Sequence, residues 1–182
     1  RFQAAATDVF LNYHAFPLLN VQVGQFDANF TMENRTSDKY FPFIERSLAV
    51  RDVGVPTNKE IGAMAWGEME DRFWFWSLGL YNGDGQNRLN TDSRGDVMVR
   101  TFIHPLANGD DPVLKNLQVG GSLRYGSRDK KWTNYDYNTM TTQAGFAFWR
   151  PTYSGSNGTV HIIPSGDQLG VVLRGGGALA LG

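Results

Sequence analysis

Arg94, Arg100 and Arg124 stand where a fixed positive charge could do chemistry. Arg100 and Arg124 each fall in the middle of a segment whose side chains alternate apolar and polar, on the polar side, and Arg94 falls at the mouth of such a segment. A guanidinium presents a rigid fork of N–H donors, a shape suited to oxyanions. Read for function, these arginines form a ladder that guides anions along a wetted wall. Read plainly, they are solvated or pair with acids such as Asp96. His14, His104 and His161 are too scattered for a metal motif, and no Ser or Asp joins one of them in a nucleophile signature. Asp84, Asn87, Asp92 and Asp96 offer oxygen ligands, yet their spacing does not match a helix-loop-helix calcium loop, and turn chemistry accounts for them. The sequence therefore points to no enzyme and no cofactor.

The elements that must position the arginines run through residues 73–125. In residues 73–82 the even positions are Trp74, Trp76, Leu78 and Leu80, and the odd ones include the small Ser77 and Gly79. In residues 95–103, Val97, Val99, Thr101 and Ile103 alternate with Asp96, Met98, Arg100 and Phe102. In residues 117–125, Leu117, Val119, Leu123 and Tyr125 interleave with Gln118, Gly120, Ser122 and Arg124. A strand's side chains change face at every residue, so this period of two specifies sheet with one face in an apolar medium.

Length bears on what that medium is. Soluble strands are most often about 5–6 residues long, whereas a tilted transmembrane strand needs about 9–11, and these segments fit the longer class. The other face mixes Gly, Ser, Gln and an occasional Arg, which suits the interior of a barrel. Trp66, Phe73, Trp74, Trp76 and Tyr81 read as an interfacial girdle, since an amphipathic ring favours the headgroup zone. The alternative is a soluble β-sandwich that binds carbohydrate through exposed Trp and Tyr. A third reading is a plugged barrel serving as a structural membrane component.

Composition agrees with a β-rich chain. Of 182 residues, 21 are Gly against 7 Pro, and 13% are aromatic, so many turns and much ring surface are expected. The formal net charge of -1 gives no general attraction for nucleic acid. Cysteine is absent, which excludes disulfides and thiolate metal sites. No run approaches the roughly 20 apolar residues of a membrane helix. A barrel needs none, because its backbone groups pair between strands, so a mean hydropathy of -0.35 is no argument against a membrane.

Along the chain, residues 5–13 alternate, residues 16–20 turn at Pro17, and residues 21–30 are the next strand. Residues 31–58 have no sustained period and are too long for a hairpin. They carry Met32, Tyr40, Phe41, Phe43, Ile44 and Leu48, enough to pack against something, with a helical turn expected over residues 42–50. Strands resume at 60–67 and 73–82, loops at 82–96 and 105–115. The connections thus alternate short and long for part of the chain, as in outer-membrane barrels. Later, residues 142–150 and 159–163 read as short strands, with a hairpin around 154–158, and residues 168–174 alternate again.

The order of motifs resembles the phosphate-selective porin family, the O and P type. The resembling residues are VQVGQF at 21–26, Phe30 and Glu33, Thr36 and Ser37, IERSL at 44–48, IGAMAWG at 61–67 and LGLYNGDG at 78–85. The likeness covers about residues 8–126, with an echo at 165–171. It implies an all-β fold, an antiparallel transmembrane β-barrel of about 16 strands in family members, with a long loop folded into the lumen. Residues 1–182 are then one porin-barrel domain, partial because roughly eight or nine strands are visible and both ends look cut.

The resemblance further implies a passive channel in the outer membrane of a Gram-negative bacterium. Its partners would be small anionic solutes such as phosphate or polyphosphate, outer-membrane lipid, lipopolysaccharide and two more copies in a homotrimer. The pore-lining, anion-guiding set would be Arg35, Lys39 and Arg46 in the long loop with Arg94, Arg100 and Arg124 on the wall. Ion pairs of Lys39 and Arg46 with Asp38 and Glu45 are the plainer reading of the loop charges.

Overall fold

The structure is a computed structural model that describes residues 6–36, 39, 59–87, 89–90, 93–111, 114–128, 140–141, 146–149, 152–155, 158–161 and 166–177. The alternating segments form strands β1 (Val9–Phe16), β2 (Leu19–Asp27), β3 (Lys59–Glu68), β4 (Trp74–Tyr81), β5 (Asp96–Ile103) and β6 (Leu117–Arg128). Each pairs antiparallel with the next, and β11 (Gly166–Gly177) pairs with β6, giving one open seven-stranded sheet. Between β6 and β11 in the chain lie two small pairs, β7 (Met140–Thr141) with β8 (Ala147–Trp149) and β9 (Thr152–Gly155) with β10 (Gly158–His161). The β9–β10 hairpin falls where the sequence expects one. Helix is confined, among the described residues, to one turn, α1 (Met32–Arg35), a 3-10 turn at Leu114–Asn116 and 3-10 geometry at Lys39. The chain is therefore all-β and consistent with part of a porin-type barrel.

Register decides the faces. On one face the directly paired side chains run Val21, Ala65, Leu78, Val99, Leu123 and Val171 across β2, β3, β4, β5, β6 and β11. Leu78, Val99, Leu123 and Val171 are all exposed. On the opposite face the matching row is Gln22, Met64, Gly79, Met98, Arg124 and Gly170, and every one of them is buried. The sheet is inverted relative to a water-soluble one. Each apolar side chain left in water forgoes about 1.5–3 kcal/mol, so the exposed rows demand an apolar surrounding. Trp74, Val99 and Val119 are 38%, 38% and 47% exposed, which removes the sandwich alternative, since a sandwich would seal them beneath a second sheet.

The inner face is reached by a change of direction after β2. The Phe30 N–H donates to the Ala28 carbonyl oxygen at 2.9 Å, a tight turn that sends residues 28–31 over the inner face rather than into a hairpin. Thr31 caps α1, its Oγ1 accepting from the Asn34 N–H at 3.0 Å. Ala28 and Phe30 pack with Phe26, Met64, Tyr81 and Met98 in one buried cluster. This apolar cluster fastens the segment to the wall. The tip of the Tyr81 ring lies against Gly79, where a Cβ would come within 2.4 Å of it, so any larger residue there would have to push the ring aside. The helical turn expected over residues 42–50 lies outside the described residues.

Connections alternate as expected through the first four: residues 17–18 and 69–73 are short at one end, 28–58 and 82–95 long at the other. The fifth, residues 104–116, breaks the alternation. It is held locally by turn chemistry, with the Asp111 carboxylate accepting from the Leu114 N–H at 2.9 Å to start the 3-10 turn.

Candidate pore wall

Arg100 stands mid-way along β5 on the inner face, opposite Ser77 on β4 and Ser122 on β6. Its Nη1 donates to Asn29 Oδ1 at 3.0 Å, and Asn29 Nδ2 donates in turn to Ser77 Oγ at 3.0 Å. Asn29 thereby joins the infolded segment to two strands. Below it, Phe75 and Phe102 are paired across β4 and β5 and stack at 4.7 Å between ring centres, with Trp66 beyond Phe75 at 6.4 Å. The Arg100 guanidinium lies 5.1 Å from the Phe102 ring centre and 5.9 Å from that of Phe75, within cation–π range.

Arg124 is arranged differently. Its Nε and Nη2 both donate to Asp96 Oδ2, at 2.8 and 2.5 Å, and the Asp96 side chain has no exposure at all. The carboxylate cancels the charge where it stands. Toward the same end of the sheet, the fully buried Glu60 accepts from the Gly83 and Gly85 N–H groups through Oε2, each at 3.1 Å. Gly83 and Gly85 both have positive φ, 86° and 87°, a conformation that turns both amides toward the carboxylate. Lys59 is spanned by Asp8 at 2.8 Å and Asp27 at 3.1 Å.

The expected site residues thus separate. Arg100 and Arg124 share the inner wall, and Arg94 lies at the strand mouth, its Nη1 donating to Ser127 Oγ at 2.5 Å. Lys39 is exposed, Arg35 is the last residue of α1, and Arg46 lies outside the described residues. Two girdle assignments need correction: Trp66 pairs with Ser77, and Tyr81 with Asp96, so both rings are on the inner face. Trp74 and Trp76 remain on the outer face, with Trp74 Nε1 donating to Thr101 Oγ1 at 2.9 Å, while Phe73 stands opposite His104 with the parity of Phe75. Asn29, Phe75, Phe102 and Glu60 were not legible as functional. Phe75 and Phe102 carried a signal, since they share the parity of Ser77 and Arg100; Asn29 carried none. Among the described residues no group of three His, Cys, Asp or Glu side chains could hold a metal ion.

No curated protein and no solved structure matches the chain. A family model does match: phosphate-selective porin O and P, over residues 2–147. That span takes in β1 to β6, the infolded segment and the arginines of the wall, which is most of the chain, and on it the protein belongs to the phosphate-selective porin O and P family.

Proposed function

We propose that this porin lets small solutes cross the outer membrane of a Gram-negative bacterium by diffusion, with anions, phosphate and polyphosphate among them, favoured over cations. Membership of the family supports a channel rather than an enzyme. The observation that carries the anion preference is Arg100, a guanidinium mid-way along the inner wall that donates to the Asn29 amide oxygen of the infolded segment. A fixed positive charge at a narrow point lowers the cost of anion entry and raises that of cations. Arg35, Lys39, Arg46 and Arg94 extend that field in this reading, and Arg124 contributes less because Asp96 offsets it.

The inverted sheet also supports a barrel larger than the seven strands. β1 and β11 each have an edge without a partner strand among the described residues, and open edges are not tolerated in lipid, so further strands complete the ring. A homotrimer contacting lipid and lipopolysaccharide is the assembly proposed. The test is the full protein in planar bilayers under a salt gradient. Discrete conductance steps with an anion-selective reversal potential, reduced in Arg100→Gln, are expected. A membrane protein that is electrically silent would instead be a structural barrel.

A further inference from the structure

The two short turns at one end of the sheet lie side by side and leave a cleft of about 380 Å³, lined by Phe16, Pro17 and Leu18 from the first and Met69, Glu70 and Asp71 from the second. Backbone bonds fix both sides. The Glu68 N–H donates to the Pro17 carbonyl oxygen at 3.1 Å, which ties the first turn to the end of β3. Gly67 lies so close under that turn that a Cβ would come within 2.1 Å of the Leu18 carbonyl oxygen. The second turn is closed by the Met69 N–H donating to the Trp74 oxygen at 2.9 Å and the Arg72 N–H donating to the Met69 oxygen at 2.8 Å. Asp71 is held by its own bond, its Oδ1 accepting from the Phe73 N–H at 3.0 Å. The cleft is therefore formed before anything enters it.

Its chemistry is divided. Phe16 pairs with Leu19, and Met69 continues the parity of Ala65 and Gly67, so both belong to the outer side of the sheet. Phe16, Leu18 and Met69 are all exposed, with Trp74 beside them as a headgroup-level ring. Glu70 and Asp71 add two carboxylates, and among the described residues no cationic side chain lines the cleft. Arg72, next along the chain, stands by Glu68 instead, Nε to Oε1 at 3.7 Å. Such a cleft repels an anionic lipid and favours an amphiphile with a cationic end. Carboxylates accept hydrogen bonds; a primary ammonium offers three donors, a quaternary one none. Short turns mark the periplasmic end of outer-membrane barrels, so the molecules at this depth are lipids of the inner leaflet. The volume is at the lower end of the roughly 300–1,000 Å³ usual for ligand sites, enough for a headgroup and the first carbons beyond it. We infer that the cleft seats one lipid whose headgroup carries a primary ammonium. The ammonium meets Glu70 and Asp71, the first apolar carbons lie against Phe16, Leu18 and Met69, and the phosphate stays in water. The inference rests on the outer-membrane reading and adds a lipid contact of defined chemistry on the side away from the lumen.

The experiment uses the full protein in detergent with EDTA present, titrated separately with phosphatidylethanolamine, phosphatidylcholine and phosphatidylglycerol, while native mass spectrometry counts the lipids retained. Heat-modifiable gel migration shows that each variant is a folded barrel. The parent is expected to retain phosphatidylethanolamine at a several-fold lower concentration than either other lipid. That advantage should vanish in Glu70→Gln with Asp71→Asn, a pair that keeps the shape of both side chains and an acceptor for the Phe73 N–H. Glu70→Lys should turn the preference toward phosphatidylglycerol, a gain that misfolding cannot produce. Phosphatidylethanolamine held no better than phosphatidylcholine by the parent, an advantage that survives in the double variant, or a preference unmoved by Glu70→Lys overturns the site. A parent protein that stays in buffer without detergent and shows no heat-modifiable migration sinks the membrane reading itself.

Discussion

Arg100 and Arg124 stand on adjacent strands, on the same face and in neighbouring rows of the register, with Arg124 opposite Met98 and Arg100 opposite Ser122. They live in different electrostatic surroundings. Arg124 donates twice to one fully buried carboxylate, while Arg100 donates to an amide oxygen and stands over two rings. The difference teaches that position on a wall does not assign a role to a guanidinium. The group it donates to bears on that role: a carboxylate offsets the charge where it stands, and an amide oxygen does not.

The strongest way to break the comparison is to remove a partner. Asp96→Ala takes the fully buried carboxylate away from the buried Arg124, a change that costs about 3–5 kcal/mol, whereas exchanging both members for apolar residues of similar volume is close to neutral. The temperature at which the folded barrel band converts on a heat-modifiable gel should fall sharply for the single variant and recover in Asp96→Leu with Arg124→Met. Equal destabilisation by Arg100→Gln would erase the distinction between the two sites.

The outer face supplies the next largest effect. Val99→Arg places a charge among exposed apolar rows, at about 2–4 kcal/mol if the row lies near the middle of the bilayer. Barrel yield in the membrane fraction should drop, while Gln118→Arg, on the inner face of the neighbouring strand, should be far better tolerated. Matching losses at both positions would mean the two faces are not lipid and lumen.

A sharper and smaller contrast is Asn29→Asp. The carboxylate would take the Arg100 bond in place of the amide oxygen and turn that site into a copy of the Arg124 one. Anion preference, read as reversal potential in a salt gradient, should fall toward that of Arg100→Gln, with stability altered by no more than about 1 kcal/mol. Smallest of all, Trp74→Phe deletes a single hydrogen bond to Thr101 on the outer face, worth about 0.5–1.5 kcal/mol, and should leave selectivity untouched.

Much of the sheet could be read before any coordinate, because a strand exposed to two solvents writes its period directly into the sequence. Leu78, Leu80, Val97, Val99, Leu123 and Tyr125 all fall on the face their alternation assigns. Aromatic residues blurred the reading. Trp66 and Tyr81 look like girdle residues by type, but parity with Met64 and Ser77 or Gly79 carries them inside, where one stacks on Phe75 and the other covers a glycine. The Arg124–Asp96 pair was foreseeable as one of two readings, since only register says which acid reaches which base. Asn29 and Ser122 were invisible, because a neutral residue acquires meaning only when the strand beside it is known.

Asn29 holds two staves of the wall at once, through Ser77 on one and Arg100 on the other. The height of residues 28–31 along the inner face is therefore inherited from how β4 is stepped against β5. Lengthening or reshuffling the chain beyond Arg35 would leave that height where the ladder of backbone bonds has set it.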